Sequence, residues 1–128
     1  MKTYIKEDIL KIYEESGKII YQATLDGNYK LNNKEGKKLI KYFKYFETNR
    51  PFALSCISDM LSSENVVVRT KAAAYLLALN EDIDVAKSIL SEISDNNEYG
   101  IFSFNAKMTL EVWEKEGYLQ IYPQNKSK

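Results

Sequence analysis

The stretch ENVVVRTKAAAYLLALN, residues 64–80, decides the fold. An asparagine able to cap a helix precedes a Val-Arg pair, and small and large apolar residues then follow at helical spacing. The pattern recurs. At an offset of 34, Val68, Arg69, Ala72, Leu76 and Leu79 fall on Phe102, Ser103, Ala106, Leu110 and Trp113. The segment before it recurs at an offset of 33, with Ala53, Cys56, Ile57 and Met60 falling on Ala86, Ile89, Leu90 and Ile93. Two helix pairs are thus written to one template, at about 51–80 and 84–117. A small residue at Ala72 and Ala106 lets helices approach closely while larger neighbours interdigitate. Such a pair cannot cover its own apolar face, so it must stack on a neighbour.

Working outward, the rest of the chain also reads as helix. Ile5, Ile9, Ile12, Ile19 and Ala23 fall near one face of a first helix, with Gly17 marking a kink or a close helix contact. DGNY, residues 26–29, is a turn; Asn32 with Glu35 resembles a capping box opening a helix that runs through Phe46. Its predicted inward face is Leu39, Phe43 and Phe46, with Ile40 at the margin. Pro51 suits a first helical turn, and Ala53, Cys56, Ile57, Met60 and Leu61 follow inward. The acidic EDID, residues 81–84, favours a helix start, and DNNEYG, residues 95–100, is the clearest turn. A last helix is expected over 101–116, stopped by Gly117, and 120–128 form a polar tail that frays. The expectation is an all-α fold of six helices in about three pairs, one domain over 1–128, with the first two helices as third pair or cap.

The N-x-x-V-R-x-x-A-A-x-x-L pattern of residues 65–76 resembles the HEAT-type repeat. The order DGNYKLNNKEGKKL, VRTKAAAYLLAL and GIFSFNAKMTLEVWEKEGYL is similar to a family of small uncharacterised bacterial HEAT-like proteins, over roughly residues 20–119. The resemblance implies a HEAT-like α-α superhelix whose second helices line a concave binding surface. It also implies that Arg69 serves loop carbonyls or a neighbouring carboxylate. Ser103 stands where the second repeat would carry its arginine, so a ladder of such contacts is incomplete.

Composition narrows the chemistry. The 128 residues are 45% hydrophobic and 28% charged, and eighteen Lys/Arg balance eighteen Asp/Glu, so no global field draws the chain to nucleic acid or membrane. MKTYIKED lacks the apolar core of a secretory signal, and the longest apolar run, Ala72 to Leu79, is far short of a bilayer span. One cysteine, Cys56, fits a reducing cytoplasm. The absence of histidine removes His-based triads, Cys-His dyads and His-containing zinc sites, and no glycine-rich phosphate loop is present. No catalytic residue, cofactor or metal ligand is predicted, and Cys56 reads as a small core residue.

What remains is surface. Lys30, Lys34, Lys37, Lys38, Lys41, Lys44 and Arg50, interleaved with Tyr29, Tyr42 and Tyr45, make residues 30–50 basic and aromatic. Glu81, Asp82, Asp84, Glu92, Asp95 and Glu98 make residues 81–98 acidic. In the second helices, Thr70, Lys71, Ala74 and Ala78 lie off the core line, as do their equivalents Phe104, Asn105, Met108 and Val112. Apolar residues there are either a docking patch or contacts for the C-terminal tail. The sequence therefore predicts a non-catalytic protein-binding module. Its predicted partner face comprises Lys38, Lys41, Tyr42, Tyr45, Lys71, Asn105 and Met108. The resemblance suggests an adaptor or an immunity protein covering a toxin. The alternative is nucleic-acid binding, with Lys37, Lys38, Lys41 and Lys44 on phosphates.

Overall fold

In the computed structural model, residues 3–123 are described. The helices are α1 (Lys6–Asp26), α2 (Tyr29–Glu47), α3 (Arg50–Met60), α4 (Val66–Leu79), α5 (Ile83–Asp95) and α6 (Ile101–Glu116), with a short 3-10 turn, Asn97–Tyr99, before the last. No strand occurs among the described residues.

The decisive stretch becomes α4, and it is apolar all round. Val66, Val67, Val68, Ala72, Ala73, Tyr75, Leu76, Leu77 and Leu79 are all buried. A helix without a polar face has to sit in the middle, and α4 packs against α1, α3, α5 and α6. Its ends are sharp. The Asn65 side chain accepts from the Val67 and Val68 amides at 2.7 and 3.4 Å, and Asn80 closes the helix in the left-handed conformation.

The repeated positions behave alike. Ala53, Cys56, Ile57 and Met60 of α3 are buried, and so are Ala86, Leu90 and Ile93 of α5, with Ile89 partly covered. Arg69 donates to the Ser63 carbonyl at 2.7 Å, and Ser103 Oγ donates to the Asn96 carbonyl. Both residues stand in the first turn of a second helix and satisfy the loop leading into it. Arg69 also reaches across to the Tyr99 hydroxyl, at 2.7 Å, before α6. Leu110 and Trp113, towards the C-terminal end of α6, are only partly buried.

The first two helices depart from the template. α1 packs on α2, α3 and α4, and Gly17 lies where an added Cβ would come within 2.6 Å of Val68 Cγ2. Close contact is therefore the role of this glycine. The docking turns α1 so that Ile9, Tyr13, Ser16, Gly17, Ile20 and Ala23 face inward. Ile5 and Ile19, predicted inward, are exposed, Ile19 being rotated about 100° from Ile20. At α2 the cap is Asn28, whose side chain accepts from the Leu31 amide at 3.2 Å. Asn32 instead donates to the Thr24 hydroxyl at 3.0 Å, and Glu35 is buried against Ser16. The capping box is thus replaced by two bonds back to α1.

Tyr13, Tyr42, Phe43, Phe46 and Tyr75 form the aromatic centre of the core. The Tyr13 and Tyr75 hydroxyls meet at 2.8 Å inside it. The predicted polar tail, 120–128, falls within the described residues only to Pro123. There it does not fray: Leu119, Ile121 and Tyr122 pack against the core, and Tyr122 donates to Glu47 at 2.8 Å.

Candidate functional site

The seven predicted partner-face residues split into two groups. Tyr42 is buried: Leu39, Tyr42, Phe43 and Phe46 follow the three- and four-residue steps of the α2 core line. Tyr4 closes over it, with ring centroids 5.2 Å from Tyr42 and 4.9 Å from Tyr45. Tyr42 therefore cannot anchor a partner, and Tyr45, half-buried, is edge-on to Phe52 as well. Lys38 is tied to Glu35 at 3.1 Å, and Lys41 lies over the Tyr42 ring. These four residues occupy one flank of α2.

The other flank of α2 meets α4. A recess of about 260 Å³ is lined there by Asn32, Asn33, Gly36, Lys37, Ile40, Lys71, Tyr75 and Ile121. On the far side of Lys71, a second recess of about 150 Å³ is lined by Ile20, Thr24, Val67, Thr70, Phe102 and Asn105. Lys71 and Asn105 thus line one recess, and Met108 follows three residues on along the same face of α6. Lys37 joins Lys71 in place of Lys38 and Lys41. The rotation of α2 that buries Tyr42 implies this exchange, and the spacing of Tyr42 from Leu39 and Phe46 already carried the signal.

On α6 two faces are apolar. Phe102 and Ala106 face the core, while Ile101, Phe104, Met108 and Val112 remain 45, 55, 42 and 42% exposed. At 100° per residue those four fall within one stripe well away from the core line. Along α4 the outcome differs. Ala78 lines a cleft of about 340 Å³ with Phe43, Glu47 and residues 118–122, so the C-terminal segment covers that end of the strip. The C-terminal segment thus meets the strip at Ala78, while Phe104, Met108 and Val112 stay exposed.

Lys71 has no hydrogen-bond or ion-pair partner among the described residues; the ion pairs are Lys6–Asp59, Lys38–Glu35, Arg50–Glu81 and Lys87–Glu114. Burial pushes its ammonium below the ordinary lysine value. Its stem is covered while its charged end keeps a solvent edge, since no fully enclosed side-chain nitrogen or oxygen lacks a partner. Cys56 is fully buried, and burial pushes its thiol up to about 11, with little thiolate at neutral pH. Among the described residues no three His, Cys, Asp or Glu side chains lie together as a metal site. No helix among them is long and apolar enough to cross a membrane. Compared with models of known families, with curated proteins and with solved structures, the chain matches none.

Proposed function

We propose that the chain is a HEAT-like α-α superhelix acting as a non-catalytic protein-binding module, an adaptor or a toxin-neutralising immunity protein. The repeat reading is supported by the matched burial of α3 and α5 and by Arg69 and Ser103, each of which serves a carbonyl of the loop before its own helix. The observation that carries the functional reading is the second apolar face of α6. A helix face turned to water is ordinarily polar, whereas α6 presents Phe104, Met108 and Val112 outward. Contiguous apolar surface of this kind marks a docking site. The interface runs from Lys71 across Asn105 to Met108, with Lys37 at its rim, and works by covering a partner's surface.

Phosphate binding by the basic helix is the weaker alternative. Tyr42 is buried and Tyr45 is held between Tyr4 and Phe52, which leaves Tyr29, at the start of α2, as the open ring of that segment.

The test is capture from the source cells followed by titration of the purified partner against wild type and Phe104→Asp/Met108→Asp. A tenfold or greater loss of affinity with unchanged helicity supports the interface. Unchanged affinity rejects it.

A further inference from the structure

Lys71 stands between two recesses, and neither contains a carboxylate. The larger is lined by two lysines, Lys71 and Lys37, and two asparagines, Asn32 and Asn33, above the apolar floor of Ile40 and Ile121. Gly36 has nothing within 4 Å of an added Cβ, so that wall of the recess is open. In the smaller, Thr24 accepts a hydrogen bond from Asn32 and keeps its own hydroxyl proton to give. The side-chain amides of Asn33 and Asn105 make no bond to another described residue. The Thr70 hydroxyl is spent on the Val66 carbonyl, but both charges are positive, and among the described residues no carboxylate pairs with Lys71 or Lys37.

Resting on the α4–α6 face as the interface, we propose that Lys71 is a carboxylate seat: it receives an Asp or Glu side chain of the protein partner, with Lys37 and the asparagine amides closing around it. A protein segment is favoured over a small acid because the seat is continuous, through Asn105, with the apolar stripe of Met108 and Phe104. An acidic residue followed by apolar ones would fill the seat and the stripe together. The opposite charge of a carboxylate at about 3–4 Å would also offset the desolvation that disfavours the Lys71 charge, so binding and ionisation are coupled. The unpartnered charge costs the fold, so Lys71→Met should fold at least as well as wild type.

The experiment is NMR of the full chain with lysine side chains labelled with carbon-13, the Lys71 signal being assigned by its loss in Lys71→Met. The probes are N-acetylglutamate amide, its glutamine counterpart, inorganic phosphate, and a short blocked peptide carrying one Glu between Leu residues. Expected is a saturable shift of Lys71 with the Glu probe at millimolar concentration and a rise in its ionisation pH. The glutamine probe gives no response, and the peptide binds several-fold more tightly than the free acid. Lys37→Met should weaken the effect several-fold. No Lys71 response to either Glu probe overturns the seat. Phosphate binding as tightly as the Glu probe overturns the carboxylate assignment, and equal affinity of free acid and peptide overturns the protein source. None of these readings depends on capture of a partner, so a silent Lys71 leaves the wider interface standing, and failed capture leaves the seat standing.

Discussion

Gly17 of α1 lies against Val68 of α4 so closely that a Cβ on the glycine would approach Val68 Cγ2 to 2.6 Å. Asn65 is next in line at 3.2 Å, and Asn65 is the residue that caps α4. The valine is β-branched, stiff in a helix and buried, so it has little room to yield. Gly17→Ala gains about 1 kcal/mol of helix propensity. Overpacking costs about 1–3 kcal/mol, and this rigid contact belongs at the upper end. Net destabilisation by about 1–2 kcal/mol is expected from chemical denaturation. Adding Val68→Ala to Gly17→Ala should show favourable coupling, the double variant losing less than the sum of the two.

Tyr13 and Tyr75 share one buried hydrogen bond, and among the described residues Tyr13 otherwise reaches only the Leu39 carbonyl, at 3.5 Å. Tyr75→Phe leaves the Tyr13 hydroxyl on that long contact and should cost about 1–2 kcal/mol. Tyr13→Phe/Tyr75→Phe should cost less than the sum of the single changes, since neither hydroxyl is then stranded. Burial raises both phenols above their ordinary range. The unfolded chain releases those protons first, so stability is full below about pH 10 and falls as pH rises beyond it. The double Phe variant should lose that part of the alkaline decline.

Glu35 acts at the opposite end of the scale. Burial opposes its ionisation, but Lys38 at 3.1 Å and Ser16 at 2.9 Å outweigh burial and hold the carboxyl below its usual range. The unfolded chain takes up the proton first as pH falls. Stability from this group is present above the ordinary carboxyl range and lost as pH drops through the lowered value. Thermal melts should therefore show a smaller acid-induced fall in Glu35→Gln than in wild type.

Tyr42→Ala, at a position predicted as a surface anchor, is expected to cost about 3–5 kcal/mol, as for a buried aromatic. A cost near zero in a urea melt would mean that Tyr4 does not cover it.

Much of the fold was legible because α4 is strongly patterned. Its asparagine cap and Val-Arg pair, with small residues at Ala72 and, in α6, at Ala106, mark the paired helices in the sequence. Helix ends at Gly117 and around DNNEYG were equally plain. The losses came where a tertiary contact outranks local pattern. Glu35 looked like a capping residue because three-residue spacing from Asn32 is the only local signal; its partner Ser16 lies on another helix. Ile19 looked inward because five apolar residues share a broad face, yet the Gly17–Val68 contact sets the rotation. The candidate face divided for the same reason. Lys71, Asn105 and Met108 follow from α4 and α6, which obey the template. Lys38, Lys41, Tyr42 and Tyr45 belong to α2, whose rotation is set by an aromatic core and by Tyr4.

The central claim, that partners dock on the α6 side of α4, is tested most directly by photo-cross-linking in the source cells. A benzophenone amino acid is placed at Met108 in one variant and at Lys41 in another, both exposed positions on different faces. A discrete adduct with one protein from position 108, absent from position 41 and abolished by Phe104→Asp, is the predicted result. An adduct from position 41 with none from position 108 would contradict the account.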